Sequence, residues 1–170
     1  MQANKPTYIE LFAGAGGLSL GLDRAGWHCL GHAEVDDHAR AVLRHRWPDT
    51  PLYGDVATLD GTGWRGVTMI SGGSPCQDLS IAGRREGLSG RRSGLFFHQV
   101  RLWRESEAPL LLWENVVGAL SSNQGKDFAR ILSTIVGEPL AVPRGANRER
   151  LKWPKAGSVV GTTGVSVAWR

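Results

Sequence analysis

The chain has only two cysteines, Cys29 and Cys76, in 170 residues. Two are too few for a disulfide framework, and no cysteine or histidine cluster has the spacing of a metal site. The five histidines, His28, His32, His38, His45 and His98, read as surface or packing residues. A chain with a free thiol suits a reducing compartment. The amino terminus lacks the apolar segment of a secretory signal. No apolar run is long enough to cross a bilayer, and there are no internal repeats. A disulfide-stapled secreted domain and a membrane-embedded protein are thus excluded as readings. The expectation is a soluble cytoplasmic protein.

What is present fits one globular domain. The length is enough to bury a core, and the 41% hydrophobic content is near the globular norm. A net charge of +4 and an isoelectric point of about 9.5 permit a nucleic-acid partner. The positive charge is mostly arginine, with Arg84, Arg85, Arg91, Arg92, Arg101 and Arg104 in one segment. Such a cluster is either a phosphate-binding surface or a solvated face.

The pattern along the chain alternates strands and helices. Tyr8–Phe12 is a short apolar strand, followed by a turn of small residues, Gly14-Ala15-Gly16-Gly17. Leu18, Leu22 and Ala25 then recur at helical spacing, closed by Gly26. Residues 27–35 form a second strand ending at Glu34. Asp37–Trp47 is a helix with Ala41, Val42 and His45 on one side. Leu52–Val56 is a third strand carrying Asp55, and Val67–Gly72 a fourth. Leu95–Glu105 is helical, Pro109–Val116 is a continuous apolar fifth strand, and Lys126–Val136 is a further helix. The order β-α-β-α-β-β-α-β-α predicts an α/β fold, an open parallel sheet with helices on both faces. Beyond Gly137 the chain is broken by prolines and glycines. Ser158–Val160 and Val165–Trp169 flank Gly161-Thr162-Thr163-Gly164 as a two-stranded ribbon. The expected division is a catalytic domain over 1–136 and a Gly/Pro-rich segment over 137–170.

Three sites stand out. The glycine turn between a strand and a helix lets a ligand approach the backbone at a helix N-terminus. Glu34 ends the next strand, where such folds place a carboxylate for ribose hydroxyls, and Asp55 on the third strand adds to the case for nucleoside binding. The spacing suits a nucleoside cofactor without a pyrophosphate better than a dinucleotide; plain tight turns also use glycine. Cys76 follows the fourth strand in Gly72-Gly73-Ser74-Pro75-Cys76-Gln77. It is either a small buried hydrophobe or, beside an arginine-rich loop that favours thiolate, a nucleophile. Glu114-Asn115 ends the fifth strand. The carboxylate there either caps a turn or faces the same cleft as Cys76, where burial would let it act as an acid near neutral pH.

These residues resemble the DNA cytosine-5 methyltransferases over roughly residues 7 to 130. Phe12-Ala13-Gly14-Ala15-Gly16-Gly17 looks like that family's cofactor loop. Glu34 with Asp36, and then Asp55, look like its ribose and adenine carboxylates. Gly73-Ser74-Pro75-Cys76-Gln77 looks like its catalytic loop, and Glu114-Asn115-Val116 like its second catalytic motif. Gly94-Leu95-Phe96-Phe97 resembles the start of the helix between them.

The resemblance implies a Rossmann-like S-adenosylmethionine-dependent methyltransferase sheet. Phe12, Ala13, Gly14, Gly16, Gly17 and Leu18 would surround the cofactor, with Glu34, Val35, Asp55, Val56, Pro75 and Leu95 completing the pocket. The Cys76 thiolate would attack C6 of a flipped cytosine, supported by Pro75, Gln77 and Asn115. Glu114 would bind the N3 edge, and C5 would take the methyl group before a base removed its proton and the thiol left. Ser80, Arg84, Arg85, Arg91 and Arg92 of the following loop would contact DNA. Asp78 and Leu79 depart from the proline and aromatic residue more usual after the glutamine.

The family's later Gln-x-Arg-x-Arg motif, target-recognition region and closing motifs are not evident. Arg148-Glu149-Arg150 follows the preceding helix too closely to be the first of these. The expectation is an amino-terminal catalytic part, incomplete at its carboxyl-terminal sheet edge. Leu110–Trp113 would then lie open, to be covered by the ribbon, by a second polypeptide or by self-association. Two rival readings are a truncated or split half that binds cofactor or a partner without activity, and a nucleotide-dependent oxidoreductase. The second leaves Pro75-Cys76-Gln77 and Glu114-Asn115 without a role.

Overall fold

A computed structural model describes residues 5–75, 94–143, 153–162 and 164–170. Their contacts divide the chain into two compact units. One comprises residues 5–75 and 95–114 of the described chain, and the other comprises Gly94 and the described residues from Asn115 onward.

The first unit is built on five parallel strands: β1 (Thr7–Leu11), β2 (His28–Ala33), β3 (Leu52–Tyr53), β4 (Met69–Gly72) and β5 (Leu110–Trp113). They lie in the order β3-β2-β1-β4-β5. Helices α1 (Gly17–Arg24), α2 (Asp37–Arg46) and α3 (Leu95–Ser106) connect them. This is the expected α/β sheet. The strand order reverses direction at β1, so the carboxyl ends of β1 and β4 form a switch point where open sheets bind ligands.

The period-2 alternation of β1 explains why both faces are covered. Ile9 and Leu11 join Ala33, Val56, Val67, Ile70, Leu102 and Ala108 in one buried cluster, to which α3 contributes Leu102. Tyr8 joins Cys29 and Met69 in another, against Leu22 of α1 and Trp27. Each face thus buries the apolar stripe of a different helix.

A bulge in β2 alters that alternation. Tyr8 pairs with Cys29, but Ile9 pairs with Gly31, so Leu30 is the extra residue and is exposed. The shift places Cys29 and His32, three positions apart, on the same face. Glu10 pairs with His32 in that register.

Two elements differ from the sequence expectation. Helix α2 buries Leu43, while Ala41, Val42 and His45 are exposed. Trp47 fixes this orientation by filling the space that Gly16 leaves open, since a Cβ on Gly16 would lie 2.4 Å from its ring. Strand β3 is only two residues long. Asp55 ends it by capping a short 3-10 helix, Val56–Thr58, its carboxylate accepting from the Ala57 N–H at 2.9 Å.

In the second unit, helix α4 (Lys126–Val136) and an antiparallel ribbon, β6 (Gly157–Val160) and β7 (Ser166–Trp169), share an aromatic core. Phe128, Trp153 and Trp169 meet edge to face at centroid distances of 5.2, 5.4 and 5.8 Å. The Trp153 indole N–H donates to the Gly125 carbonyl at 2.8 Å, tying the segment before the ribbon to the start of α4.

Candidate functional site

The glycine turn leaves β1 in a conformation that few residues adopt. Phe12, Gly14 and Gly16 have φ of 55°, 53° and 81°. Glycine takes this left-handed region freely, whereas Phe12 is held there under strain, as residues at ligand turns often are. Nothing lies within 4 Å of a Cβ built on Gly14 or Gly17, so the turn is open to close approach. Gly16 caps α1 without a side-chain bond. The helix start is therefore left to backbone N–H groups.

Glu34 reaches across from the end of β2. Its carboxylate accepts from the Gly14 N–H at 2.7 Å and from the Val35 and Asp36 N–H groups at 2.7 and 2.8 Å. Asp36 caps α2 through the Ala39 N–H at 2.9 Å. Val35 stands beside this carboxylate 66% exposed, an apolar side chain with no core to fill. Asp55 follows β3, the next strand over, and is exposed; the Val56 side chain is buried in the core. Phe12 and Leu95 both pack against the main core cluster while remaining partly exposed. Ala13 is buried, and Leu18 half-buried in the first turn of α1. The carboxyl ends of β1, β2 and β3 thus lie side by side, with Glu34 bonded to the open turn and Asp55 exposed after β3. That donor set fits a nucleoside ligand with ribose hydroxyls to be accepted and a base face to be covered.

The other end of the sheet edge holds Glu114. Gly72 pairs with Trp113, so the segments leaving β4 and β5 are neighbours. The Glu114 N–H donates to the Gly72 carbonyl at 3.0 Å. A Cβ on Gly73 would lie 2.8 Å from Glu114 Oε2 and 3.3 Å from its carbonyl oxygen. The Glu114 carboxylate therefore rests against the start of the Gly73-to-Gln77 loop because position 73 has no side chain. Pro75 is exposed at the end of the described loop. Glu114 is itself exposed, so the burial expected to make it an acid is not observed. Asn115 turns its side-chain oxygen back to accept from the Val116 N–H at 2.8 Å. Cys76, Gln77, Ser80, Arg84, Arg85, Arg91 and Arg92 lie outside the described residues, as do Asp78, Leu79 and Arg148-Glu149-Arg150.

Several contributors were not apparent from spacing. The Trp113 indole N–H donates to Ser74 Oγ at 3.0 Å, and its ring packs edge-on against Phe96 at 5.5 Å. Gln99 of α3, fully buried, donates from Nε2 to the Gly72 and Leu112 carbonyls, each at 3.3 Å. These bonds fix the spacing between the β4 and β5 exits. Arg40 clamps the β2 and β3 exits through the Glu34 and Tyr53 carbonyls, both at 2.5 Å. Arg101, counted in the sequence among a basic cluster, instead holds the segment after β3. Its guanidinium donates to the Val56 and Leu59 carbonyls and pairs with Glu105 at 2.9 Å. In sequence Arg40, Gln99 and Arg101 look like ordinary helix residues; only the strand register reveals their partners. Cys29, the described cysteine, is buried, and burial pushes its thiol up to about 11, so it is inert beside the reactive role expected of Cys76.

The sheet and its turn define an α/β fold of the methyltransferase type. A sequence model of the C-5 cytosine-specific DNA methylases matches residues 7–137. The chain is 40% identical over 145 residues to the Type II methyltransferase M.Eco47II of Escherichia coli, covering 83% of this chain and 35% of that protein. It is 38% identical over 134 residues to the Type II methyltransferase M1.HphI of Haemophilus parahaemolyticus, covering 74% and 36%. Among solved structures, a DNA modification methyltransferase encoded within an E. coli prophage superposes with a TM-score of 0.64 at 29% identity, over 78% of this chain and 38% of that one. Spodoptera frugiperda DNMT2 shares the fold, with a TM-score of 0.60 at 22% identity, over 77% and 41%. The chain belongs to the C-5 cytosine-specific DNA methylase family. It spans about a third of the length of the curated relatives it matches. No helix among the described residues is long and apolar enough to cross a membrane.

Proposed function

We propose that this chain carries the cofactor-binding and catalytic portion of a DNA (cytosine-5-)-methyltransferase of the restriction-modification kind. The observation that supports this best is the pairing of two contacts at adjacent strand ends: Glu34 on the glycine turn, and Glu114 against Gly73 at the head of the cysteine loop. S-adenosylmethionine would supply an electrophilic methyl group beside that turn. Gly14, Gly16 and Gly17 would let it approach the backbone, Glu34 would accept from its ribose, Val35 would cover its base, and Asp55 would bind the base edge.

On the substrate side, Cys76 as thiolate would add to C6 of a cytosine turned out of the duplex. Glu114 would hold the N3 edge and balance the charge that develops there, leaving C5 electron-rich. C5 would take the methyl group as its bond to the sulfonium sulfur breaks and S-adenosylhomocysteine leaves; a base would then take the C5 proton, and the C6–S bond would break to return the thiolate. Ser80, Arg84, Arg85, Arg91 and Arg92 would hold the DNA backbone. The test is transfer of labelled methyl to duplex DNA, with the carboxyl-terminal portion of a relative supplied. Transfer that Cys76→Ser abolishes supports the assignment. Transfer that survives Cys76→Ser would remove the thiol from the reaction.

One observation favours a second reading, a half-enzyme that binds cofactor or a partner and is inactive alone. Strand β5 pairs only with β4 among the described residues, and Leu110 and Leu112 are 47% and 37% exposed. Such an edge invites a strand from a second polypeptide or another copy. Cofactor binding by the chain without methyl transfer, restored by the supplied portion, would select this reading.

A further inference from the structure

Beneath the glycine turn lies a chain of polar groups that no step of the proposed reaction uses. Glu10 on β1, Ser19 on α1 and His32 on β2 are 3%, 0% and 1% exposed. Ser19 Oγ hydrogen-bonds the Glu10 carboxyl and lies 2.8 Å from His32 Nε2. Cys29 Sγ lies 3.5 Å from the same nitrogen. One turn along α1, Asp23 accepts from the Tyr8 hydroxyl at 2.9 Å and from the Trp47 indole at 2.7 Å. The His32 ring in turn packs on Trp47 at 5.2 Å. Ser19 begins only two residues after Gly17, so these bonds hold the first turn of α1 where it leaves the glycine loop.

We infer that Glu10, Ser19 and His32 are positioning residues for the glycine turn, and that their hydrogen-bond chain holds α1 in place in either of two proton arrangements. In one, Glu10 is protonated and donates to Ser19, which donates to His32 Nε2; His32 then carries its proton on Nδ1. In the other, Glu10 is ionised and accepts from Ser19, which accepts from a proton on His32 Nε2. Going from the first to the second loses one proton to water, from Nδ1, as the Glu10 and Ser19 protons each move one place along the chain. The Glu10–Ser19 and Ser19–His32 contacts each remain a donor–acceptor pair in both, as a buried polar cluster requires. Burial first, then the charges of Asp23 and Glu34, push Glu10 up to about 7, with Ser19 opposing; this puts the switch near neutral pH. Burial lowers His32, with Asp23 opposing, so its ring is neutral in both arrangements. The titratable groups facing the chain are Tyr8 on β1, Cys29 on β2, Glu34 after it and Asp23 on α1.

This inference rests on the turn being the cofactor site, but its main test does not need the cofactor. Amide hydrogen exchange over Leu18–Leu22 is compared in the unaltered chain, in Ser19→Ala and in Leu22→Ala, a packing variant that leaves the polar chain intact. At matched global stability, Ser19→Ala is expected to exchange at least tenfold faster there, with Val100 and Leu102 of α3 unchanged. Equal acceleration by Leu22→Ala would reduce Ser19 to ordinary packing and overturn the assignment. Nitrogen-15 chemical shifts of His32 between pH 5.5 and 8.5 are expected to pass from the Nδ1–H to the Nε2–H tautomer, and Glu10→Gln to remove that transition. A fixed tautomer or a protonated ring across that range would overturn the two-arrangement chain. Calorimetry with S-adenosylhomocysteine separates the underlying reading. Binding that Ser19→Ala weakens about tenfold supports both, whereas no binding by the unaltered chain defeats the cofactor assignment alone and leaves the exchange result standing.

Discussion

The two ends of one sheet edge are built differently. At the β1–β2–β3 end every exit is tied within the unit: Glu34 to three backbone N–H groups, Arg40 to the β2 and β3 carbonyls, and α1 to the buried Glu10–Ser19–His32 chain. At the β4–β5 end, Gln99 and Trp113 set the spacing of the exits, but Glu114 is exposed and β5 is an apolar edge. The lesson is physical. The first end ties its strand exits together with its own side chains. At the second end β5 pairs only with β4 among the described residues and Glu114 is exposed, the kind of edge that invites a further strand.

The sharpest way to break this comparison is to alter one end and read the other. Cys76→Ser is expected to abolish methyl transfer completely while leaving S-adenosylhomocysteine binding unchanged in calorimetry. Glu34→Ala is expected to weaken that binding at least about tenfold, about 1.4 kcal/mol. Cofactor binding lost in Cys76→Ser would show the two ends to be one cooperative site.

The pH dependence of stability tests the buried end. Glu10 is held at about 7 against an ordinary value of 4.5. Between those values the folded chain keeps a proton that the unfolded chain has lost. Stability therefore falls as pH rises through that window, by up to about 3 kcal/mol. His32 acts in the opposite sense: burial lowers it, so acidification below its ordinary value of 6.5 protonates the unfolded chain first and costs stability. Urea melts from pH 5 to 8 are expected to lose the decline toward high pH in Glu10→Gln and to keep the loss on the acid side.

Smaller effects sharpen the contrast. Gly72→Ala would place a Cβ 2.5 Å from the Leu11 carbonyl oxygen, at the switch point between the two ends. Backbone cannot give way cheaply there, so thermal melts should show a loss of about 2 kcal/mol. Leu112→Lys on the open edge is expected to weaken self-association in sedimentation about tenfold while leaving cofactor binding alone. Arg65→Ala, which breaks the ion pair to Glu107 at 3.0 Å, should change stability by less than about 0.5 kcal/mol, since both side chains are more than 60% exposed.

Much of this was legible in the sequence because it rests on local chemistry. The glycine turn, the strand-ending carboxylates Glu34 and Asp55, and helix Lys126–Val136 follow from spacing and composition. What was not legible depends on register. Cys29 and His32 fall on opposite faces by simple alternation and share one only because Leu30 bulges. Arg101 reads as one more cationic residue until the packing of α3 sets it against Val56 and Leu59. The orientation of α2 turns on Trp47 filling the space beside Gly16, a contact between distant residues that no periodicity encodes. The open edge at Leu110–Trp113 was expected from the sequence, but the exposure of Glu114 at its end was not, because the apolar run before it reads as leading into a buried cleft.

The most direct measurement is mass spectrometry of the chain after incubation with S-adenosylmethionine, a duplex containing 5-fluorocytosine, and the carboxyl-terminal portion of a relative. Fluorine at C5 cannot leave as a proton does, so the C6–sulfur bond formed in the proposed reaction should persist. The expected result is a nucleotide adduct on the peptide containing Cys76, absent in Cys76→Ser. Cofactor bound under the same conditions, DNA bound, and no adduct at Cys76 would contradict the account.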